Sequence, residues 1–105
     1  MTPVISDGES QGSKAMRYSL VSRDYIADCI EIMHEGYCAD AIITLGGCDK
    51  TVPGVLMPIA RLDLCGITMF GGPALPGKCK DLKFTDRNLD PANVMEAIGA
   101  YPHGQ

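Results

Sequence analysis

Cysteine, aspartate and lysine stand side by side at Cys48, Asp49 and Lys50, inside a glycine-bounded run from Gly46 to Gly54. Their chemistries differ. A thiolate suits iron–sulfur clusters or zinc, while a carboxylate suits magnesium. Neighbours with such different preferences point to a place where two inorganic centres meet. The lysine is the odd member. It follows the apolar run Ala41 to Leu45 and precedes the helix-like stretch Pro53 to Leu62. A cation near a helix start opposes the macrodipole, which favours anions there. Either Lys50 reaches solvent or an anionic substrate, or it has lost its positive charge.

The order of elements sharpens this. Ala41 to Leu45 reads as a buried strand, so Cys48 falls just beyond a strand's carboxyl end. Open α/β sheets place ligands there. A helix beginning nearby lowers a cysteine pKa and favours the metal-binding thiolate. Two rivals are weaker. A phosphate-binding loop needs glycine directly before its lysine, and here that position is Asp49, whose charge repels phosphate. A zinc site needs three or four cysteine or histidine ligands. His34 and Glu35 are followed by Cys38, not by the second histidine of a zinc-helix motif.

The run Cys48-Asp49-Lys50, followed by Pro53-Gly54, resembles the signature of the dihydroxy-acid and sugar-acid dehydratase family. The likeness extends upstream through Ser6-Asp7-Gly8, Met16-Arg17-Tyr18-Ser19-Leu20, Ser22-Arg23, Ile26-Ala27-Asp28 and Glu31. It extends downstream through Gly71-Gly72-Pro73, Pro76-Gly77-Lys78 and the tail Val94 to Tyr101. The combined order is far more specific than any one piece.

The resemblance implies residue roles. Cys48 matches a ligand of a [2Fe–2S] cluster. Asp49 and Asp7 match magnesium ligands. Lys50 matches a lysine that is carboxylated on its amine and then binds the same Mg²⁺, which would remove the dipole conflict. It also implies a hydro-lyase that converts a 2,3-dihydroxy carboxylate to a 2-keto acid in branched-chain amino-acid synthesis. A sugar-acid substrate and a non-catalytic folded remnant are the alternatives. No residue here matches a catalytic base. The full-length enzyme is expected to be a homo-oligomer acting on a small dihydroxy acid.

Some positions depart from the family. Ser13-Lys14-Ala15 replaces the usual pair before the Gly-Met of the first segment. Pro58 falls where a helix former is usual, so the helix after the motif is expected to kink or begin late. The chain is also several times shorter than the family's members. It reads as residues 1–105 of a partial N-terminal dehydratase domain, truncated at both ends. Alone, it is expected to hold no cluster, to be inactive and to self-associate.

Composition sets outer bounds. A chain of 105 residues with 46% hydrophobic content can build one core. A net charge of −4 gives no basic surface for nucleic acid. No apolar run is long enough to span a membrane, and the N-terminus does not read as a targeting sequence. Five cysteines without a close pair imply an intracellular, reducing compartment: cytoplasm, mitochondrion or plastid. Cys29, Cys38 and Cys65 read as small buried hydrophobes, and Cys79 as a loop residue without a role.

The elements that must position the motif are expected as follows. Thr2 to Ser6 forms a short strand and Asp7 to Lys14 a loop. Ser22 caps an amphipathic helix with Ile26, Cys29, Ile30 and Met33 on its apolar face. Gly36 closes that helix, and His34 complements its last turn. Cys65 to Phe70 is a second buried strand. Asp90 and Pro91 open a last helix, to about Ala100. This order gives an α/β fold: a three-layer unit with a small parallel sheet flanked by helices, an incomplete part of a larger domain. The loops at Asp7, Cys48 and Gly71 should then share one sheet edge.

Overall fold

The fold is known from a computed structural model that describes residues 4–78 and 88–104. Met1–Gly72 and Pro73–Gln105 form two separate units. The first holds the motif. In chain order it contains α1 (Asp7–Ser10), a 3-10 turn (Lys14–Tyr18), α2 (Ser22–Gly36), β1 (Ile42–Gly46), α3 (Thr51–Arg61) and β2 (Gly66–Phe70). β1 and β2 pair in parallel with Ile42 opposite Gly66 and Gly46 opposite Phe70. This is the expected α/β arrangement of a small parallel sheet flanked by helices. The second unit pairs β3 (Gly77–Lys78) with β4 (Asn88–Leu89) antiparallel and carries α4 (Pro91–Ala100). Asp90 accepts from the Asn93 amide, and the Asn93 side chain returns the bond to the Asp90 N–H, so α4 starts where its capping residues direct.

The core of the first unit is small. Ile26 and Ile30 of α2 and Val55 of α3 form it, with Ile42 of β1 packed against them. Close approach of the two helices depends on Gly54. A Cβ there would lie 3.1 Å from the Arg23 carbonyl oxygen and 3.3 Å from Ile26 Cγ2. Arg61 also ties the helices together, donating to Glu31 at 2.9 Å and Asp28 at 3.2 Å. That exposed pairing adds little stability. Thr44 of β1 faces inward and shares a 3.0 Å hydrogen bond with Thr68 of β2.

Several expectations are corrected. The strands are not buried on both faces. Ile43 and Leu45 on β1 and Ile67 and Met69 on β2 are all more than half exposed, because alternate side chains point away from the helices. Val4–Ser6 is not a strand, and the start of that expected strand lies outside the described residues. The expected loop after it begins with α1, whose Ser6 cap accepts from the Glu9 N–H and whose first turn carries Asp7 and Glu9.

α2 starts after Val21, not on a Ser22 cap, because the Ser22 hydroxyl donates to the Ser19 carbonyl at 2.5 Å. Its inward face is Ile26, Ala27, Ile30 and His34, while Met33 turns outward. His34 is therefore a buried side chain, with Nδ1 3.2 Å from the Glu35 carboxylate. Cys38, with φ 51°, takes the left-handed position that ends the helix, in place of Gly36. Cys38 and Cys65 are exposed and Cys29 is half-buried, against the expectation of burial for all three. Cys79 lies outside the described residues.

α3 begins at Thr51 and continues through Pro58 as one helix, not late. The ring removes the hydrogen bond to the Gly54 carbonyl, but Pro58 is fully buried, so its packing offsets the loss. Among the described residues, no helix is long and apolar enough to cross a membrane.

Candidate metal centre

β1 delivers the chain to Gly46, and the motif turns directly into α3. The Cys48 carbonyl accepts from the Val52 N–H at 2.9 Å, which starts the helix. The Cys48 side chain also serves the helix start, with Sγ 3.0 Å from the Thr51 hydroxyl. Lys50 turns inward. It is 1% exposed and is the largest fully buried side chain among the described residues. Its Nζ donates to Asp7 Oδ1 at 2.7 Å and to Cys48 Sγ at 3.4 Å. Ser19, itself buried, donates its hydroxyl to the same Asp7 oxygen. Residues 43 positions apart thus meet at the carboxyl end of β1. The expected convergence of the first loop with the motif is what the structure shows. Gly71 leaves β2 at the same edge, since Gly46 and Phe70 are partners.

The thiol and the ammonium of this corner are both shifted from their ordinary values. Burial pushes the Cys48 thiol up, but it is outweighed by hydrogen bonds from the Thr51 hydroxyl and backbone and from Lys50, so the thiol sits below its ordinary value. Burial likewise pushes the Lys50 amine down, and its bonds to Asp7 and Cys48 more than reverse this, leaving it raised. The arrangement is a thiolate-favouring corner with a cation locked behind it. An open cleft of about 440 Å³ borders the sulfur, lined by Val4, Ile5, Ser6, Leu45, Gly46, Gly47, Cys48 and Thr51. The downward thiol shift has a direct readout. Iodoacetamide alkylation of Cys48 is expected to rise with pH earlier in the folded chain than in the same chain unfolded in urea. Peptide mapping across a pH series checks this, and coincident profiles would contradict the hydrogen-bond assignment.

Comparison with known proteins gives the family. A family model described as dihydroxy-acid/6-phosphogluconate dehydratase N-terminal matches residues 1–105. The chain belongs to that family. It is similar to dihydroxy-acid dehydratase 3 of Bordetella bronchiseptica, with 45% identity over 104 residues, covering 99% of this chain and 18% of that protein. It is 44% identical over 103 residues to the dihydroxy-acid dehydratase of Metallosphaera sedula, covering 98% of this chain and 18% of that protein. It is 47% identical over 100 residues to that of Saccharolobus islandicus, covering 95% and 17%. The chain therefore spans less than a fifth of the length of these dehydratases.

Within this dehydratase segment the four expected site residues are not equally assembled. Lys50 contacts both Asp7 and Cys48. Asp49 is exposed, and among the described residues no hydrogen bond or ion pair engages its carboxylate. No group of three metal-ligating His, Cys, Asp or Glu side chains occurs among the described residues. That follows from the composition of the corner, in which a lysine occupies the middle. Ser19 and Thr51 were not singled out by the sequence. A serine buried beside a carboxylate has no periodic signature, although Ser19 lies in one of the family-like segments.

Proposed function

We propose that this chain supplies the amino-terminal, metal-binding corner of a dihydroxy-acid dehydratase that removes water from a 2,3-dihydroxy carboxylate to give a 2-keto acid. The observation that carries this reading is the buried Lys50 amine in contact with Asp7 and Cys48. The alternative within the family, a sugar-acid substrate, is less favoured because the relatives named above are dihydroxy-acid dehydratases.

The donors fit magnesium if Lys50 carries carbon dioxide as a carbamate. Asp7, Asp49 and carboxylated Lys50 then form an oxygen-only set, which suits Mg²⁺ or Mn²⁺ over zinc. A bound Mg²⁺ would supply Lewis-acid polarisation of a substrate carboxylate and hydroxyl. Lys50 holds its position by burial. Asp7 is oriented by the Ser19 hydroxyl, so one oxygen is fixed and the other stays free to bind. Asp49, exposed and next to Lys50, has the freedom to turn inward. A carbamate beside Asp7 places two anions together, so carboxylation and cation binding should be coupled.

A [2Fe–2S] cluster does not fit the described residues by themselves, since a single sulfur reaches the site. Cys48 is proposed as one ligand, with the others from segments that the longer relatives possess. The substrate, the cluster and a homo-oligomeric assembly belong to that longer protein.

The test is Mn²⁺ binding followed by electron paramagnetic resonance in a full-length homologue carrying this segment. Retention is expected with bicarbonate and not after carbon dioxide is purged. Equal binding in both conditions would sink the carbamate reading.

A further inference from the structure

Lys50 and Cys48 meet in a way that has its own chemistry when no metal is bound. The Lys50 Nζ is 3.4 Å from the Cys48 Sγ. Its side chain is almost wholly buried, and Asp7 holds the same nitrogen from another side at 2.7 Å. The amine cannot swing into solvent without breaking both contacts. The sulfur is placed differently. Cys48 lines the open cleft, so a small solute reaches it with no opening of the fold. An accessible thiolate ordinarily climbs the ladder from sulfenic to sulfinic and sulfonic acid. A nitrogen fixed in contact with the sulfur offers another outcome.

We propose that in the metal-free chain Cys48 and Lys50 become covalently joined through one oxygen atom, as a nitrogen–oxygen–sulfur bridge, with molecular oxygen as the oxidant. The step balances as the thiolate plus the ammonium plus one O₂, giving the bridge plus one water. Sulfur and nitrogen each give up two electrons, and O₂ takes all four. One oxygen atom forms the S–O and O–N bonds. The other leaves as water with two of the three ammonium hydrogens, and the third stays on nitrogen. The ion pair is neutral before the step and the bridge is neutral after it. An inserted oxygen also requires the two heavy atoms to close by less than a direct S–N bond would. Two equivalents of a dithiol supply the four electrons that restore thiol, amine and water.

The bridge consumes both side chains of the corner, so metal occupancy and cross-linking exclude each other. It also keeps the sulfur off the irreversible rungs of the ladder. The proposal does not rest on the metal reading, because it is tested without metal. Cys38 and Cys65 serve as internal controls, since both are exposed and, among the described residues, no lysine amine bonds to either.

The experiment exposes the chelator-treated 105-residue chain to air and compares it with an anaerobic sample by mass spectrometry. The expected result is a gain of about 14 Da in the peptide spanning Cys48 and Lys50, reversed by dithiothreitol. Lysyl endopeptidase should fail to cut after Lys50 in that species. Lys50→Arg, which keeps a cation beside Asp7, should remove the gain and leave Cys48 on the ordinary oxidation ladder. Three results would each overturn the bridge: Cys48 oxidised to an oxyacid with cleavage after Lys50 intact, Cys48 trapped in a disulfide, or a Cys48 thiol left free after exposure. Because the wild-type chain alone decides these outcomes, a variant that failed to fold would not blunt the test.

Discussion

Lys50→Met in a full-length homologue carrying this segment is expected to lower divalent-cation affinity by more than about 100-fold, beyond the usual effect of outer-shell changes. Methionine fills a similar volume but can neither be carboxylated nor donate to Asp7. Activity should fall with metal content. A separate cost falls on folding. Removing one member of a fully buried ion pair costs about 3–5 kcal/mol. The Asp7 side chain is 35% exposed, however, so water can rehydrate it. The expected loss is nearer about 1–2 kcal/mol, measured by urea unfolding of the metal-free protein. Lys50→Arg separates the two effects. Its guanidinium keeps a positive charge against Asp7 but forms no carbamate, so folding should be largely kept and metal still lost. A Lys50→Arg protein with normal metal content would show that the lysine is structural only.

The motif was legible because its signals are local and reinforce each other. An apolar run, two glycines, a cysteine and then a helix-like stretch place Cys48 beyond a strand end, and the structure puts it there. The Asp90-Pro91 start of α4 was legible for the same reason, since a cap acts over three residues. What failed was tertiary. The strand residues Ile43, Leu45, Ile67 and Met69 read as buried from apolarity alone, yet among the described residues the helices cover one face of the sheet and leave these side chains exposed. His34 reads as a residue that complements the last turn of its helix, but the inward face of α2 includes it. Cys38 and Cys65 read as interior because cysteine is usually buried, and both lie exposed in connections. The single turn α1 is too short to leave a periodic pattern. The burial of Lys50 could not be deduced from the motif, which left open whether the lysine reaches solvent or an anionic substrate or has lost its charge. The sequence brings Asp7, 43 residues earlier, to the same edge, but does not give the inward turn of the lysine that buries its amine against that carboxylate.

Anaerobic iron–sulfur reconstitution of the 105-residue chain is expected to give no stable cluster, and incubation with 2,3-dihydroxyisovalerate no keto acid above background. A [2Fe–2S] centre is ordinarily held by four cysteine thiolates, and geometry keeps the other described cysteines from joining Cys48. Cys65 precedes β2 and its carbonyl accepts from the Ile42 N–H, at the end of the sheet where β1 begins. Cys48 lies past the other end. Strands advance about 3.3 Å per residue, so the five-residue ladder alone separates the two by roughly 13 Å. Cys38 ends α2 ahead of β1, at the same far end as Cys65. Cys29 belongs to the middle of α2, on the helix that packs against α3 and not at its start. Bringing any of them to Cys48 requires unfolding the element that carries it. A visible absorption band typical of a cluster, with iron and sulfide bound to monomeric chain and lost in Cys48→Ser, would overturn this. The same band seen only in dimers would mean that two copies contribute sulfur to one site.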